Sequence, residues 1–185
     1  MPKIVFLLEE PSMKNTLEHI LPKILSKDVA FQLVEHEGKS SLQKSIPIKL
    51  KGWKGVHFVI VQDQDSGDCV SLKNELRELA CKSGRDDTLV RIVCRELEAW
   101  FLGDFEAVEE AYGIDLSKVK NKKKYRNPDM VENAKEELKK IVHSYQPYSG
   151  SGKIAQHMDI ERNKAHSFKV FVEGVRRLND RILSH

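Results

Sequence analysis

The residues best suited to chemistry lie at Gln62-Asp63-Gln64-Asp65, where the apolar run Phe58-Val59-Ile60-Val61 ends in alternating acids. Side chains alternate along a strand, so a strand continued to this point would present Asp63 and Asp65 on one face, roughly 7 Å apart along the backbone. Carboxylates that close repel one another unless a cation sits between them, and Mg²⁺ is the usual cation for such oxygen ligands. A metal site is therefore the first expectation. Further acids follow other apolar runs: Glu9 and Glu10 follow Ile4 to Leu8, and Glu96 and Glu98 follow Leu89 to Cys94. In an open parallel sheet ligands collect beyond the carboxyl ends of the strands, which would gather all three clusters at one rim. For Glu10 and Glu96 a second reading stands, as helix-start acids favoured by the macrodipole.

The elements that must hold these acids are read from periodicity. Lys3 to Leu8, Val29 to Val34, Val56 to Val61 and Leu89 to Cys94 read as strands. Between them, Leu17, Ile20, Leu21, Ile24 and Leu25 share a helix face after Pro11-Ser12. Cys69, Leu72, Leu76 and Leu79 share another, capped by Asp65 or Ser66. Glu37 to Gly52 reads as loop with a short helix, because Ile46-Pro47 argues against a long one. Strand and helix alternate, so the expected architecture is a parallel α/β sheet flanked by helices. Beyond Asp104 the pattern turns helical, with one face formed by Val131, Ala134, Leu138, Ile141 and Val142 and another by Phe168, Phe171, Val172, Val175 and Leu178. Residues 1–110 then form an α/β core and residues 111–185 a helical extension packed on it, while Tyr148 to Gly152 reads as a flexible loop.

Composition narrows the function classes. The chain has 185 residues, 40% hydrophobic and 32% charged, ordinary for one globular domain. No apolar run is long enough to span a bilayer, and the opening Met1-Pro2-Lys3 with Ile4 to Leu8 is too short and too soon acidic for a signal peptide. Cys69, Cys81 and Cys94 are an odd set without close pairing, against disulfides and structural zinc and for a cytoplasmic location. The net charge of +3 is modest, but Lys118 to Arg126 concentrates Lys120, Lys122, Lys123, Lys124 and Arg126 around Tyr125. An acidic metal pocket with a separate basic strip suits a phosphate-backbone substrate; the alternative for the strip is a solvated loop.

Other signals fail on inspection. Ser149-Gly150-Ser151-Gly152-Lys153-Ile154 has Pro147 where a P-loop needs its first glycine and Ile154 where it needs a hydroxyl. Gly38-Lys39-Ser40 lacks the upstream glycine. His143, His157 and His166 fit no zinc spacing and read as exposed helix positions. Trp100 and Phe101 read as core, and Cys94 as a buried small residue.

Taken together, Leu8-Glu9-Glu10-Pro11-Ser12-Met13, Glu37-Gly38-Lys39, Val61 to Asp65 with Asp68-Cys69, Arg95 to Asp104, Tyr125 to Asp129 and Ser167 to Phe171 resemble a known family across nearly the whole chain. The resemblance is to the small TOPRIM-like proteins of the domain-of-unknown-function 4276 family, related to the TOPRIM domains of topoisomerases, primases and OLD-type nucleases. The Glu-Leu-Glu-Ala-Trp-Phe block is its specific part. The resemblance implies that Glu9 is the TOPRIM glutamate, a general acid or base, that Asp63 and Asp65 bind metal, and that Glu98 and Glu96 complete the cation site. Glu10-Pro11 stands where many TOPRIM domains have glycine, so either Glu9 or Glu10 faces the metal. The implied activity is a Mg²⁺- or Mn²⁺-dependent nuclease acting on DNA or RNA, with water and not a tyrosine attacking. Relatives of this kind are often encoded beside an ATPase in phage-defence systems. The alternative is a non-catalytic subunit whose acidic rim docks such an ATPase or holds a structural cation. A homo-oligomer is compatible with either.

Overall fold

A computed structural model describes residues 1–184. Four strands, β1 (Lys3–Leu8), β2 (Ala30–Glu35), β3 (His57–Asp63) and β4 (Leu89–Val93), form one sheet in the order β2-β1-β3-β4, every pairing parallel. The chain steps one way from β1 to β2 and the other way from β2 over β1 to β3 and on to β4. Parallel crossovers are right-handed, so this reversal puts the first helix on one face and the next two on the other. Helix α1 (Pro11–Ile20) covers one face, and α2 (Lys39–Gly52) and α3 (Cys69–Lys82) cover the opposite one.

Strand alternation sorts the core accordingly. Ile4, Phe6, Leu8, Val59 and Val61 point into the larger cluster with α1. Val5, Leu7, Phe58 and Ile60 meet Leu42, Ile46 and Leu50 of α2 and Leu72 and Leu76 of α3. Helices α4 (Glu98–Leu102), α5 (Phe105–Tyr112), α6 (Ala134–Ile141), α7 (Pro147–Ala155) and α8 (His166–Leu183) all contribute to the larger cluster, so the C-terminal segment shares its core with the sheet. The α8 face read from Phe168, Phe171, Val172, Val175 and Leu178 is buried throughout.

Four local readings are corrected. Helix α2 runs through Pro47 for 14 residues. Burial of Leu42, Ile46 and Leu50 against the sheet outweighs a lost backbone bond and ring crowding of about 3 kcal/mol. The stretch from Tyr148 to Gly152 lies in helix α7, started by Pro147, and packs on α1. There Gly150 serves close approach, because a Cβ on it would lie within 2.7 Å of the Tyr145 ring and the Tyr112 hydroxyl. Helix α3 is capped by Asp68, whose Oδ2 accepts the Ser71 N–H at 2.7 Å, and not by Asp65 or Ser66. Val131 is buried but precedes α6, closing the short helical turn Pro128–Met130.

The C-terminal segment is held by polar ties as well as by apolar burial. Buried Asp104 caps α5 through the Ala107 N–H, accepts the Asp159 N–H at 2.9 Å and receives Arg162 on both oxygens, at 2.7 and 3.1 Å. Just before it, Gly103 donates no side chain to a tight crossing: its carbonyl accepts the Lys164 N–H at 2.9 Å, and a Cβ would stand 2.9 Å from the Ala165 nitrogen and closer still to the Asn163 side chain. Backbone cannot yield there as a flexible side chain can. Gly103→Ala is expected to cost about 1–3 kcal/mol of stability, read as a lowered urea midpoint with unchanged slope.

Candidate metal centre

The strand order reverses between β1 and β3, and the carboxyl ends of those two strands carry Glu9 and Asp63. Such a switch point opens a crevice because the connections leave it on opposite faces. A cleft of about 370 Å³ lies there, lined by Glu9, Glu10, His36, Asp63, Asp65 and Glu96, with Lys135 at its edge. Backbone bonds fix its walls. Gly38, whose φ of 89° favours glycine, donates its N–H to the Glu9 carbonyl at 2.9 Å, and the His36 Nδ1–H donates to the Leu8 carbonyl at 2.8 Å.

Glu9 and Asp63 are tied to each other. The Asp63 N–H donates to Glu9 Oε2 at 3.0 Å, and Asp63 Oδ2 accepts the Leu97 N–H at 3.1 Å. One carboxylate oxygen of each is thereby fixed, and the other has no protein partner among the described residues. Burial pushes the Asp63 carboxyl well above its ordinary range; Glu10 and Glu9 add repulsion, and the Leu97 N–H opposes them. Burial also raises Glu9, against the Asp63 N–H and with the help of Asp65.

Asp65 arrives differently from the sequence expectation. Strand β3 ends at Asp63, and Asp65 sits in a left-handed turn with φ 55°, so strand alternation does not set its direction. The turn is clamped to the end of β4: the Gln64 N–H donates to the Val93 carbonyl and the Asp65 N–H to the Arg95 carbonyl, both at 2.8 Å. Asp65 still lines the cleft, where its Oδ2 pairs with Lys39 Nζ at 3.0 Å. That hydrogen bond holds the Lys39 proton above its usual range.

The other acids take separate places. Glu10 stands at the N-cap position of α1 and lines the cleft without capping the helix through its side chain. Glu96 lines the cleft while its Oε2 accepts the Lys135 N–H at 2.9 Å, capping the start of α6 from a distance in sequence. Glu98 is buried behind the cleft wall. Its Oε1 accepts the Tyr145 hydroxyl at 2.8 Å, a bond that works against the upward push of burial on its carboxyl.

Among the described residues, no three His, Cys, Asp or Glu side chains are already drawn together into a cage for an ion. The expected five-carboxylate constellation is thus an open cleft with Glu98 outside it. Mg²⁺ tolerates such a site, because it keeps several waters and uses one or two carboxylates. Hard oxygen donors that repel one another, with Asp63 buried and Glu9 half-buried beside it, fit a divalent cation.

Two cations at this rim carried no role in the sequence reading. Lys39 lies in the Glu37-Gly38-Lys39 segment but had no function attached. Lys135 occupies the first turn of α6, where the helix dipole disfavours a lysine, and that misfit is the signal that could have flagged it. Burial works to lower its pKa, yet the combined fields of Glu98, Glu10, Glu96 and Asp63 raise it.

The basic strip is less free than its composition implies. Lys120 pairs with Glu109 at 3.3 Å, and Lys124 pairs with Glu137 while lying over the Tyr125 ring. Lys122, Lys123 and Arg126 are exposed and form no ion pair among the described residues. Tyr125 itself is buried against Phe105. Trp100 and Phe101 are fully buried, as expected of core.

A family model described as Domain of unknown function (DUF4276) matches residues 8–176. The chain belongs to this family. No curated protein matches it. Among solved structures, this DUF4276 member is similar to the C-terminal region of the Burkholderia pseudomallei OLD protein, with TM-score 0.57 and 14% identity over 96% of this chain and 98% of that one. It is also similar to the C-terminal region of the Xanthomonas campestris pv. campestris OLD protein, with TM-score 0.52 and 13% identity over 99% of this chain and 98% of that one. At such identity the likeness concerns the fold, and it bears out the TOPRIM-like α/β architecture read from the sequence. No helix is long and apolar enough to cross a membrane among the described residues.

Because burial raises Asp63 in the folded chain, the folded state holds that proton more tightly than the unfolded one. Stability from this source is present below the ordinary aspartate range and is lost as pH rises through the raised value. Asp63→Asn keeps an oxygen for the Leu97 N–H and removes the charge. In metal-free buffer at pH 7 its Tm is expected to exceed that of the parent by a few degrees, the gain vanishing as the pH falls below about 4, where both states bind the proton. Thermal denaturation across that range is the measurement, and a lower Tm at pH 7 would contradict the assignment.

Proposed function

We propose that the acidic cleft binds Mg²⁺ or Mn²⁺ and hydrolyses phosphodiester bonds of nucleic acid. The observation that carries this reading is the placement of Glu9 and Asp63 at the switch point of the sheet, each with one oxygen fixed and one free. Glu9, Asp63 and Asp65 would hold the cation, with Glu96 at the margin. When bound, it would polarise the phosphate and lower the pKa of a water.

This chain's own residues do the rest. The backbone ties to Asp63 and Leu97 keep the Glu9 and Asp63 carboxylates in place without reorganisation as charge develops. The general acid or base is whichever of Glu9 and Glu10 the cation leaves free: Glu10 lines the same cleft, and burial raises the Glu9 carboxyl when no cation is bound to it. Lys39 neutralises Asp65 until a cation takes its place. Lys135 sets positive charge at the cleft edge, where a phosphate oxygen would lie.

One observation favours a second reading. Asp65 is already paired, so the rim as it stands can serve as a docking surface for a partner ATPase with no turnover of its own. In either reading, a role beside an ATPase in phage defence is carried by the family resemblance.

Supercoiled plasmid incubated with the chain and Mg²⁺ or Mn²⁺ is expected to be nicked, and Asp63→Ala to lower the rate at least about a hundredfold. Mg²⁺ should also raise the Tm of the parent and leave that of the Asp63→Ala/Asp65→Ala double variant unmoved. Equal nicking by the variant would sink the catalytic reading. Metal-independent association with the ATPase, without nicking, would establish the docking one.

A further inference from the structure

Among the described residues, the three non-glycine residues with left-handed backbone, Asp65, Arg95 and Asn133, have φ of 55°, 61° and 51° and all line one cleft of about 390 Å³. Each conformation is uncommon outside glycine. This cleft shares Asp65 and Glu96 with the acidic centre. On its other side it shares Glu132 with a cleft of about 830 Å³ bordered by Lys123, Arg126 and Met130. The three clefts thus adjoin in a row, with the course of a groove from the carboxyl ends of the sheet past the β4–α4 turn to the basic strip.

Arg95 stands at its middle. Its N–H donates to Gln64 Oε1 at 3.2 Å and its carbonyl accepts the Asp65 N–H, so its backbone is fixed on both sides. Arg95 is half-buried and its guanidinium forms no ion pair among the described residues, although Asp65, Glu96 and Glu132 line the same cleft. Asp65 is engaged by Lys39, and an oxygen of Glu96 by the α6 backbone. A guanidinium on a fixed backbone, free of any anion and next to the proposed metal cleft, is suited to grip a phosphate. Farther along, Lys123 and Arg126 are likewise unpaired among the described residues, and Met130, 65% exposed, offers apolar surface next to them.

Charge along the path and an apolar wall beside it match a strand whose bases are uncovered, because a duplex keeps its bases stacked inside. We propose that this groove holds a single-stranded nucleic acid, an inference that rests on the nucleic-acid reading above. Arg95 grips the phosphate next to the acidic centre, Lys123 and Arg126 grip phosphates farther along, and Met130 meets a base. Glu132, between them, opposes the passing backbone.

The test is fluorescence anisotropy of the full chain with labelled oligothymidylate, oligouridylate and a duplex, in EDTA so that cleavage plays no part. Arg95→Gln and Arg126→Gln are each expected to weaken single-strand binding about threefold to tenfold and to flatten the log K against log salt slope by about 0.7. Glu132→Gln should tighten it by about threefold, a gain that misfolding cannot produce. Absent binding by the parent chain, variants that bind as the parent does, or a duplex bound at least as tightly, would overturn the groove. Loss of binding in the arginine variants with no nicking by the parent chain would leave the groove standing and remove the nuclease reading; nicking with binding unmoved by the variants would do the reverse.

Discussion

The structure depends on a short chain of bonds through Asp63. Its N–H is held by the Glu9 carboxylate and its own carboxylate holds the Leu97 N–H, so the ends of β1 and β3 and the approach to α4 are fastened by a single residue. A buried carboxylate surrounded by other acids is a costly fastener, since burial and repulsion both oppose its charge. An amide would fasten as well at less cost. The sequence keeps an acid, and stability is given up at this point for a negative charge in a cleft.

The block from Glu96 to Phe101 shows how that charge is supported. Glu96 caps α6, the Leu97 N–H holds Asp63, Glu98 receives Tyr145, and Ala99 is fully enclosed. Trp100 donates to Ser167 at 3.0 Å, Ser167 donates in turn to Asp129 at 2.8 Å, and Phe101 packs edge-on against Tyr145. Consecutive residues thus address the sheet, α6, the turn before α7, and α8. Few substitutions satisfy so many neighbours at once.

Much of this was legible in the sequence, and the failures have physical causes. The α8 face follows from its helical period, and the strands from short apolar, β-branched runs bounded by breaks, the form that burial on both faces of a parallel sheet imposes. Pro47 misled because a local helix penalty was weighed without the sheet contact that offsets it. Gly150 reads as flexibility because composition does not separate a glycine that frees the chain from one that lets two surfaces meet. Asp63, Glu9, Glu10 and Glu96 read as acids that follow strands, and they do line one cleft. Glu98 reads the same way but is turned to Tyr145, since its direction is set by α4 and not by the strand before it. Lys39 and Arg95 carry no assignment because their positions depend on turns whose geometry no spacing rule encodes, whereas Lys135 is legible only as a lysine misplaced at the start of a helix.

The Trp100–Ser167–Asp129 relay has a consequence for the order in which the molecule can be made. Glu9 and Asp63 leave the ribosome early, but Leu97, Tyr145 and then Ser167 emerge long after them. A growing chain that has completed its sheet still lacks the parts that brace α4, so the carboxylates have strands to stand on but no backing. The Trp100 brace closes only once α8 has docked, so a half-made chain carries its acidic residues on strands whose neighbouring helix α4 is not yet tied down.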